Sequence, residues 1–130
     1  MNWFDTLNDK RSLESIYGAE IPDLDSVCIR ELTLDENGPS LKIRFDFGKF
    51  PSNPPLKWAQ SGFNTVQCVL VFDQLSSVQI HGWLTRNVGQ LEIVQESPAR
   101  FKVTFNGSSS KFWLDCGLIW LQTISAYTNN

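Results

Sequence analysis

His81 is the only histidine in the sequence, and it is the first side chain to consider for chemistry near neutral pH. Imidazole is the only side chain whose unperturbed pKa lies in that range, so His81 could serve as a general base. Paired with a serine or a cysteine, such a base would activate a nucleophile. No nucleophile elbow and no catalytic-cysteine motif occurs in the sequence, which favours a half-exposed strand histidine over a catalytic one.

The three cysteines, Cys28, Cys68 and Cys116, are widely spaced and form no Cys-x-x-Cys pair. A zinc site needs four ligands, and a single histidine cannot complete one. Asp115 precedes Cys116, but a neighbouring carboxylate raises the pKa of a thiol and so opposes thiolate formation. The pattern predicts reduced thiols that lie mostly in the core. We therefore predict no catalytic residues, no metal and no cofactor, and no enzymatic activity.

Acidic residues are concentrated in the first third of the chain. The formal net charge is −3, but residues 1–47 hold ten acids and five bases, for a net charge of −5. The sequence contains no cluster of Lys and Arg residues that could bind the phosphate groups of a nucleic acid. Six acids and one base fall within residues 20–36, either as a solvated face or as a docking patch for a cationic partner. The candidate contacts are Asp23, Asp25, Glu31, Asp35 and Glu36.

The elements that position these residues are mostly β-strands. With 130 residues, of which 42% are hydrophobic, the chain (1–130) is expected to form one domain. Apolar and polar residues alternate in several short runs from Val27 onward, with turn signals such as Asn37-Gly38 between them. The pattern predicts an α+β, mainly antiparallel β fold, with seven or eight short strands in a curved sheet or a sandwich.

A short N-terminal helix is predicted over SLESIYG, with Ser12 as the N-cap and Gly18 as the stop. In VCIRELTL, strict alternation predicts Cys28, Leu32 and Leu34 on one face with Arg30, opposite Val27 and Ile29. The final run, GLIWLQTISAY, is apolar on both faces and fits a helix or a buried strand. Its β-branched and aromatic residues favour a strand.

The stretch FPSNPPLKW, residues 50–58, contains three prolines between two predicted strands. Proline cannot donate a ladder hydrogen bond, so this stretch should leave the sheet as a stiff excursion. One PxxP match makes a peptide-ligand role conceivable, but a rigid loop that folds Phe50 and Trp58 back over one end of the core is favoured.

The opening decapeptide, MNWFDTLNDK, has neither a basic n-region nor an apolar h-region. No apolar run reaches the ~18 residues of a membrane helix. We therefore expect a cytoplasmic protein without membrane contact.

A series of residues, in order, resembles the immunity protein 50 family of bacterial polymorphic toxin systems. The series comprises Trp3, Tyr17-Gly18, Ile21-Pro22, Gly38-Pro39, LKIRFDF, Pro54-Pro55, Lys57-Trp58, Asn64, VLVF, Gly82-Trp83, Cys116 and ISAY. The resemblance extends from Trp3 to Tyr127, and PPLKW is its most specific part.

The resemblance implies an immunity protein that binds a cognate toxin C-terminal domain and blocks it by stoichiometric occlusion. It implies neither the activity of the toxin nor the surface that binds it. From the residues alone, a small-ligand or peptide-binding β module with Trp58 or Trp83 as a lid is the alternative. A hydrolase that depends on His81 is a third possibility.

Overall fold

The computed structural model describes residues 2–130 of the chain. A short 3-10 helix, Trp3–Thr6, precedes α1 (Arg11–Tyr17), and α2 (Leu56–Ser61) lies between the second and third strands. The eight strands are β1 (Val27–Asp35), β2 (Ser40–Asp46), β3 (Thr65–Asp73), β4 (Ser77–His81), β5 (Asn87–Ser97), β6 (Arg100–Gly107), β7 (Lys111–Cys116) and β8 (Leu118–Tyr127). The predicted α+β, mainly antiparallel fold with a short N-terminal helix is confirmed.

All eight strands belong to one open, curved antiparallel sheet with the order β4-β7-β6-β5-β1-β2-β3-β8. Between β3 and β4 the chain has only the residues 74–76, although β4 is one edge of the order and β3 lies beside the other edge. Such a short link requires the sheet to curve until its two ends come close together. Backbone hydrogen bonds from Ser76 to Asp115 and from Gly117 to Asp73, each 3.0 Å, hold this corner.

The core fills the inner face of the curved sheet. Alternating residues of neighbouring strands point inward, and among the largest fully buried side chains are Phe45, Phe72, Phe105 and Phe112. The N-terminal segment covers one end of this core. Leu13 of α1 is fully buried, and the backbone N–H of Asn8 donates to the carbonyl of Ile119 at 2.9 Å.

Helix α1 begins one residue before the expected cap. Ser12 lies inside the helix, and the prediction that its side chain caps the helix is wrong. Asp9 provides the acceptor, because its Oδ1 accepts the backbone N–H of Arg11 at 3.0 Å. The Arg11 guanidinium and this backbone bond hold the pKa of Asp9 at about 2. The helix ends at Gly18, as predicted.

Strand β1 contains a β-bulge that changes which residues face the core. Ile29 pairs with Phe45 and Glu31 pairs with Arg44, so Arg30 is an extra residue. Beyond the bulge, Leu32 pairs with Ile43 and Leu34 with Leu41, on the inner face. The prediction that Leu32 and Leu34 share a face with Cys28 and Arg30 is therefore wrong, since one inserted residue reverses the alternation.

The proline-rich stretch is not a loop throughout. Its last part forms α2, which starts directly after Pro55, and this helix was not predicted. Pro54-Pro55 still prevents helix before that point. The aromatic contact agrees with the prediction, because the Phe50 and Trp58 rings lie 6.3 Å apart and both pack against the core. The ambiguous C-terminal run is strand β8, as favoured.

Candidate partner-binding surface

His81 lies exposed at the end of edge strand β4. Its ring stacks on that of Trp113, with 5.2 Å between centroids and 11° between planes. The stack holds the imidazole against a neighbouring strand on the outer face of the sheet. No group of three His, Cys, Asp or Glu side chains that could hold a metal ion occurs among residues 2–130.

Two of the cysteines are buried where a thiolate is disfavoured. Burial raises the pKa of the Cys116 thiol to about 12, and Asp115 adds to this effect in the direction expected from the sequence. Burial also raises the pKa of Cys68. Cys28 is half-buried on β1. Burial therefore disfavours the thiolate, which is the nucleophilic form, at both Cys68 and Cys116.

The five candidate acids are all exposed, but they do not form one patch. Asp23 and Asp25 precede β1, Glu31 lies in its middle, Asp35 is its last residue and Glu36 follows it. The nine residues of β1 separate the two end pairs by about 30 Å. A partner that contacts all five acids would have to span the length of the strand.

The three groups differ in their local partners. Asp25 Oδ1 accepts a hydrogen bond from Gln90 at 3.3 Å, and Asp23 Oδ1 accepts the backbone N–H of Asp25 at 3.1 Å. Glu31 forms an exposed ion pair with Arg44 across β1 and β2, with an N–O distance of 3.2 Å. The end pair Asp35 and Glu36 forms none of the ion pairs found within residues 2–130.

Sequence reasoning missed a polar cluster beside the Glu31–Arg44 pair. Asp46 faces outward on β2, as its alternation predicts, yet it is only 4% exposed. Its carboxylate accepts from Arg30 Nε at 2.9 Å, from Gln67 Nε2 at 3.0 Å and from the Tyr127 hydroxyl at 2.5 Å. Tyr127 is 81 residues away in the chain, so no local pattern could have revealed the cluster.

The hydrogen bond to Asp46 raises the pKa of Arg30. Burial, followed by the same carboxylate, raises the pKa of Tyr127. Asp46 thus accepts three side-chain hydrogen bonds on the outer face, which meets the need of a buried polar group for partners. The cluster joins β1, β2, β3 and β8 and gives this part of the surface a fixed shape.

Candidate acids contribute to the lining of several concave regions, two of which exceed 300 Å³. A polar cleft of about 460 Å³ is formed by α1, the segment after it and the proline-rich stretch, with Tyr17, Glu20, Asp23 and Lys49 in its lining. Its polar groups bond one another or nearby residues, as the Tyr17 hydroxyl donates to the Lys49 carbonyl at 2.7 Å. Glu20 accepts from Ser52 at 2.6 Å. The side chains of Tyr17 and Glu20 are therefore already paired within the chain.

The second concave region, of about 390 Å³, lies between the turn that joins β1 to β2 and the first residues of β4. Its apolar lining comes from Leu34, Pro39, Leu75 and Val78, and Asp35 and Glu36 stand at its rim. We call it the tip groove. It is the place where the structure brings candidate acids next to exposed apolar surface.

The tryptophans proposed as a lid occupy different settings. Trp58 is half-buried against Phe50 and the core, and neither concave region described above includes it. Trp83 is 43% exposed in the link that follows β4. A third tryptophan, Trp3, was not proposed as a lid, and it donates a hydrogen bond from its indole nitrogen to the Pro22 carbonyl at 2.8 Å. Trp58 therefore serves to pack the proline-rich stretch.

No helix among residues 2–130 is long and apolar enough to cross a membrane. No curated protein and no solved structure matches the chain. The family model described as Immunity protein 50 matches residues 9–127. The matched range starts after Trp3 and ends at Tyr127, and it covers both α-helices and all eight strands. The chain therefore belongs to the immunity protein 50 family.

Proposed function

We propose that this protein binds the C-terminal domain of a cognate toxin and neutralises it by stoichiometric occlusion, without turnover. The observation that carries the proposal is the family match over residues 9–127, which includes the whole sheet. An immunity protein of this kind protects the cell that makes the toxin, so we place its action in the cytoplasm.

The setting of the reactive side chains supports binding rather than catalysis. Two thiols are buried and protonated near neutral pH, and His81 is stacked on Trp113. The exposed acids support a basic partner, because opposite charge raises association rates. A toxin that acts on nucleic acid would supply such a surface, since its own site must hold phosphate groups. The proposed contacts are Asp23, Asp25, Glu31, Asp35 and Glu36.

The direct test uses the C-terminal domain encoded by the gene next upstream of the one for this protein. Expressed alone, that domain should stop growth, and co-expression of this protein should restore growth. With purified components, toxin activity should fall linearly and vanish near one equivalent, and light scattering should give a 1:1 complex. His81→Ala should protect as well as the wild type. Protection at far below one equivalent, with the toxin cleaved or modified, would contradict occlusion.

The contribution of the acids is tested by charge reversal in pairs. Asp35→Lys with Glu36→Lys is compared with Asp23→Lys with Asp25→Lys, in binding assays at low and high salt. At least one pair should weaken binding and flatten its salt dependence. Unchanged affinity in both double variants would remove the acids from the interface.

A further inference from the structure

We propose that the tip groove, together with the free edge of β4, is the site where an extended segment of the toxin docks. This segment carries apolar side chains and at least one Lys or Arg, and it adds to the sheet as a strand beside β4. The inference rests on the proposed function and goes further by naming one surface and the chemistry of the segment that it takes.

The first observation is an exposed apolar residue on the core side of the sheet. Leu34 lies on the same face of β1 as Val27 and Ile29, which are 0% and 2% exposed. Leu34 is nevertheless 55% exposed, because the groove beside it is empty of protein. Val78 and Leu75 across the groove are half-buried. An apolar side chain from a partner would extend the core at this point.

The second observation is an exposed sheet edge, whose main protection is its short length of five residues. β4 is the terminal strand, and its sequence SVQIH contains no proline, lysine, aspartate or glutamate. Natural proteins usually blunt such an edge with charge, proline or a covering segment. The opposite edge, β8, is partly covered, since Asn8 donates to the Ile119 carbonyl. β4 therefore presents backbone groups that an extended peptide can pair with.

The third observation is that the wall of the groove is fixed before any partner arrives. The Leu75 N–H donates to the Pro39 carbonyl at 2.9 Å, and the Ser76 N–H donates to the Asp115 carbonyl at 3.0 Å. These bonds attach the start of β4 both to the β1–β2 turn and to β7. A preformed groove loses little conformational entropy on binding.

The charges at the rim of the tip groove indicate which partner it binds. Asp35 and Glu36 form no ion pair with the basic residues in the described part of the chain, whereas Glu31 is already paired with Arg44. A partner that brings Lys or Arg to the rim would neutralise them. A second copy of this chain would bring a net charge of −3 and the same acids, so the charges favour a basic toxin segment over self-association.

The test measures binding to the purified C-terminal domain encoded by the upstream gene, inactivated by substitution. Leu34→Glu places a charge in the groove without disturbing the buried core. The Kd of the Leu34→Glu variant for the toxin domain should rise about 30-fold, as expected for a substitution at the centre of an interface. Leu56→Glu is the matched control, because Leu56 is 73% exposed in α2, outside the groove lining. It should change Kd by less than about threefold.

The rim acids are tested without breaking the turn. Asp35 Oδ1 accepts the Asn37 N–H at 2.9 Å, and Asp35→Asn keeps that acceptor. Asp35→Asn with Glu36→Gln should raise Kd about tenfold at low salt and much less at high salt. Glu92→Gln with Glu96→Gln removes the same charge from two exposed acids of β5 outside the groove lining, and it should leave Kd within about twofold of wild type.

Hydrogen exchange then locates the contact. Peptides that cover residues 75–81 should become protected in the complex, while peptides that cover α2, residues 56–61, should not. If the wild type binds and Leu34→Glu binds equally well, the groove proposal is overturned and the proposed function stands. If the wild type forms no complex, both fail. A dimer of this chain that Leu34→Glu dissociates would also overturn the groove proposal, by identifying a second copy as the occupant.

Discussion

Asp46 lies on the outer face of β2, yet only 4% of its surface is exposed, because Arg30, Gln67 and Tyr127 cover it. Each of these side chains donates to the carboxylate. A buried charge of this kind stabilises a fold only while all its partners are present.

Removal of the carboxylate should therefore cost more than removal of one donor. Asp46→Ala leaves three donors without their acceptor and should lower the free energy of unfolding by about 3 kcal/mol. Tyr127→Phe removes one hydrogen bond and should lower it by about 1 kcal/mol. Urea unfolding measures both, with Ser125→Ala on the same strand as the control. Equal losses for the two variants would show that the three donors are not coupled through Asp46.

The buried Cys116 thiol makes stability depend on pH at the alkaline end. Burial raises its pKa from an ordinary value of 9.0 to about 12, so between these values the unfolded chain binds fewer protons than the folded one. Stability is then fully present below pH 9 and falls as the pH rises towards 12, by up to about 1.4 kcal/mol per pH unit for one such group.

Cys116→Ala should reduce this alkaline slope, as measured by urea unfolding at pH 9.5 and 10.5. Burial also raises the pKa of Cys68 and Tyr17, so a smaller slope should remain. Measurements at pH 6 and 7 are the control, because both proteins should show the same pH dependence there. An unchanged slope above pH 9 would mean that the Cys116 thiol is accessible to solvent.

At the scale of single elements, the proline-rich stretch has a structural role in the fold. Pro54 and Pro55 keep the chain out of a helix until Leu56, where α2 begins and places Trp58 near Phe50 and the core. Leu56, on the same helix, is 73% exposed. The two residues allow the structural role of this segment to be tested without leaving α2.

Trp58→Ala should lower the free energy of unfolding by about 2 kcal/mol, because it removes a large, half-buried side chain. Leu56→Ala should change it by less than about 0.5 kcal/mol. Chemical denaturation and growth protection are measured together for both variants. If Trp58→Ala abolished toxin binding while the folded protein kept its stability, the segment would be part of the interface.

The β-bulge in β1 affects residues on neighbouring strands of the sheet as well as in β1 itself. By inserting Arg30, it directs the guanidinium to Asp46 and turns Leu34 to the inner side, at the tip groove. One extra residue thus determines both the polar cluster and the apolar wall of the proposed docking site.

For the whole molecule, charge should govern how fast a basic partner arrives. The net charge is −3, and the half of the sheet that contains β1 and β2 belongs to the acidic first third of the chain. The association rate constant with the toxin domain should fall several-fold between 50 and 500 mM salt, with a smaller change in the dissociation rate constant. Surface plasmon resonance separates the two rates.

The same measurement on Asp35→Asn with Glu36→Gln should give a shallower salt dependence of association. Glu92→Gln with Glu96→Gln, on β5, is the control of equal charge. A wild-type association rate that does not respond to salt would exclude electrostatic steering as a function of these acids.

The sequence by itself determined the strand pattern, the short helix and the family, because alternation, turn residues and ordered motifs are local properties of the chain. FKVTF lies in β6, and LKIRFDF runs along β2 and one residue beyond it; their aromatic residues are buried, as their period of two predicts. Helix α2 and the bulge at Arg30 were missed, since a single inserted residue or a short helix after proline leaves little periodicity to detect.

Only the tertiary structure decided how distant residues meet. It separated the two end pairs of acids along β1 and joined Asp46 to Tyr127 across 81 residues of chain. It also curved the sheet so that the β1–β2 turn and the start of β4 form one groove. Strand order and curvature come from contacts between segments far apart in sequence. The local pattern of residues along the chain therefore does not predict them.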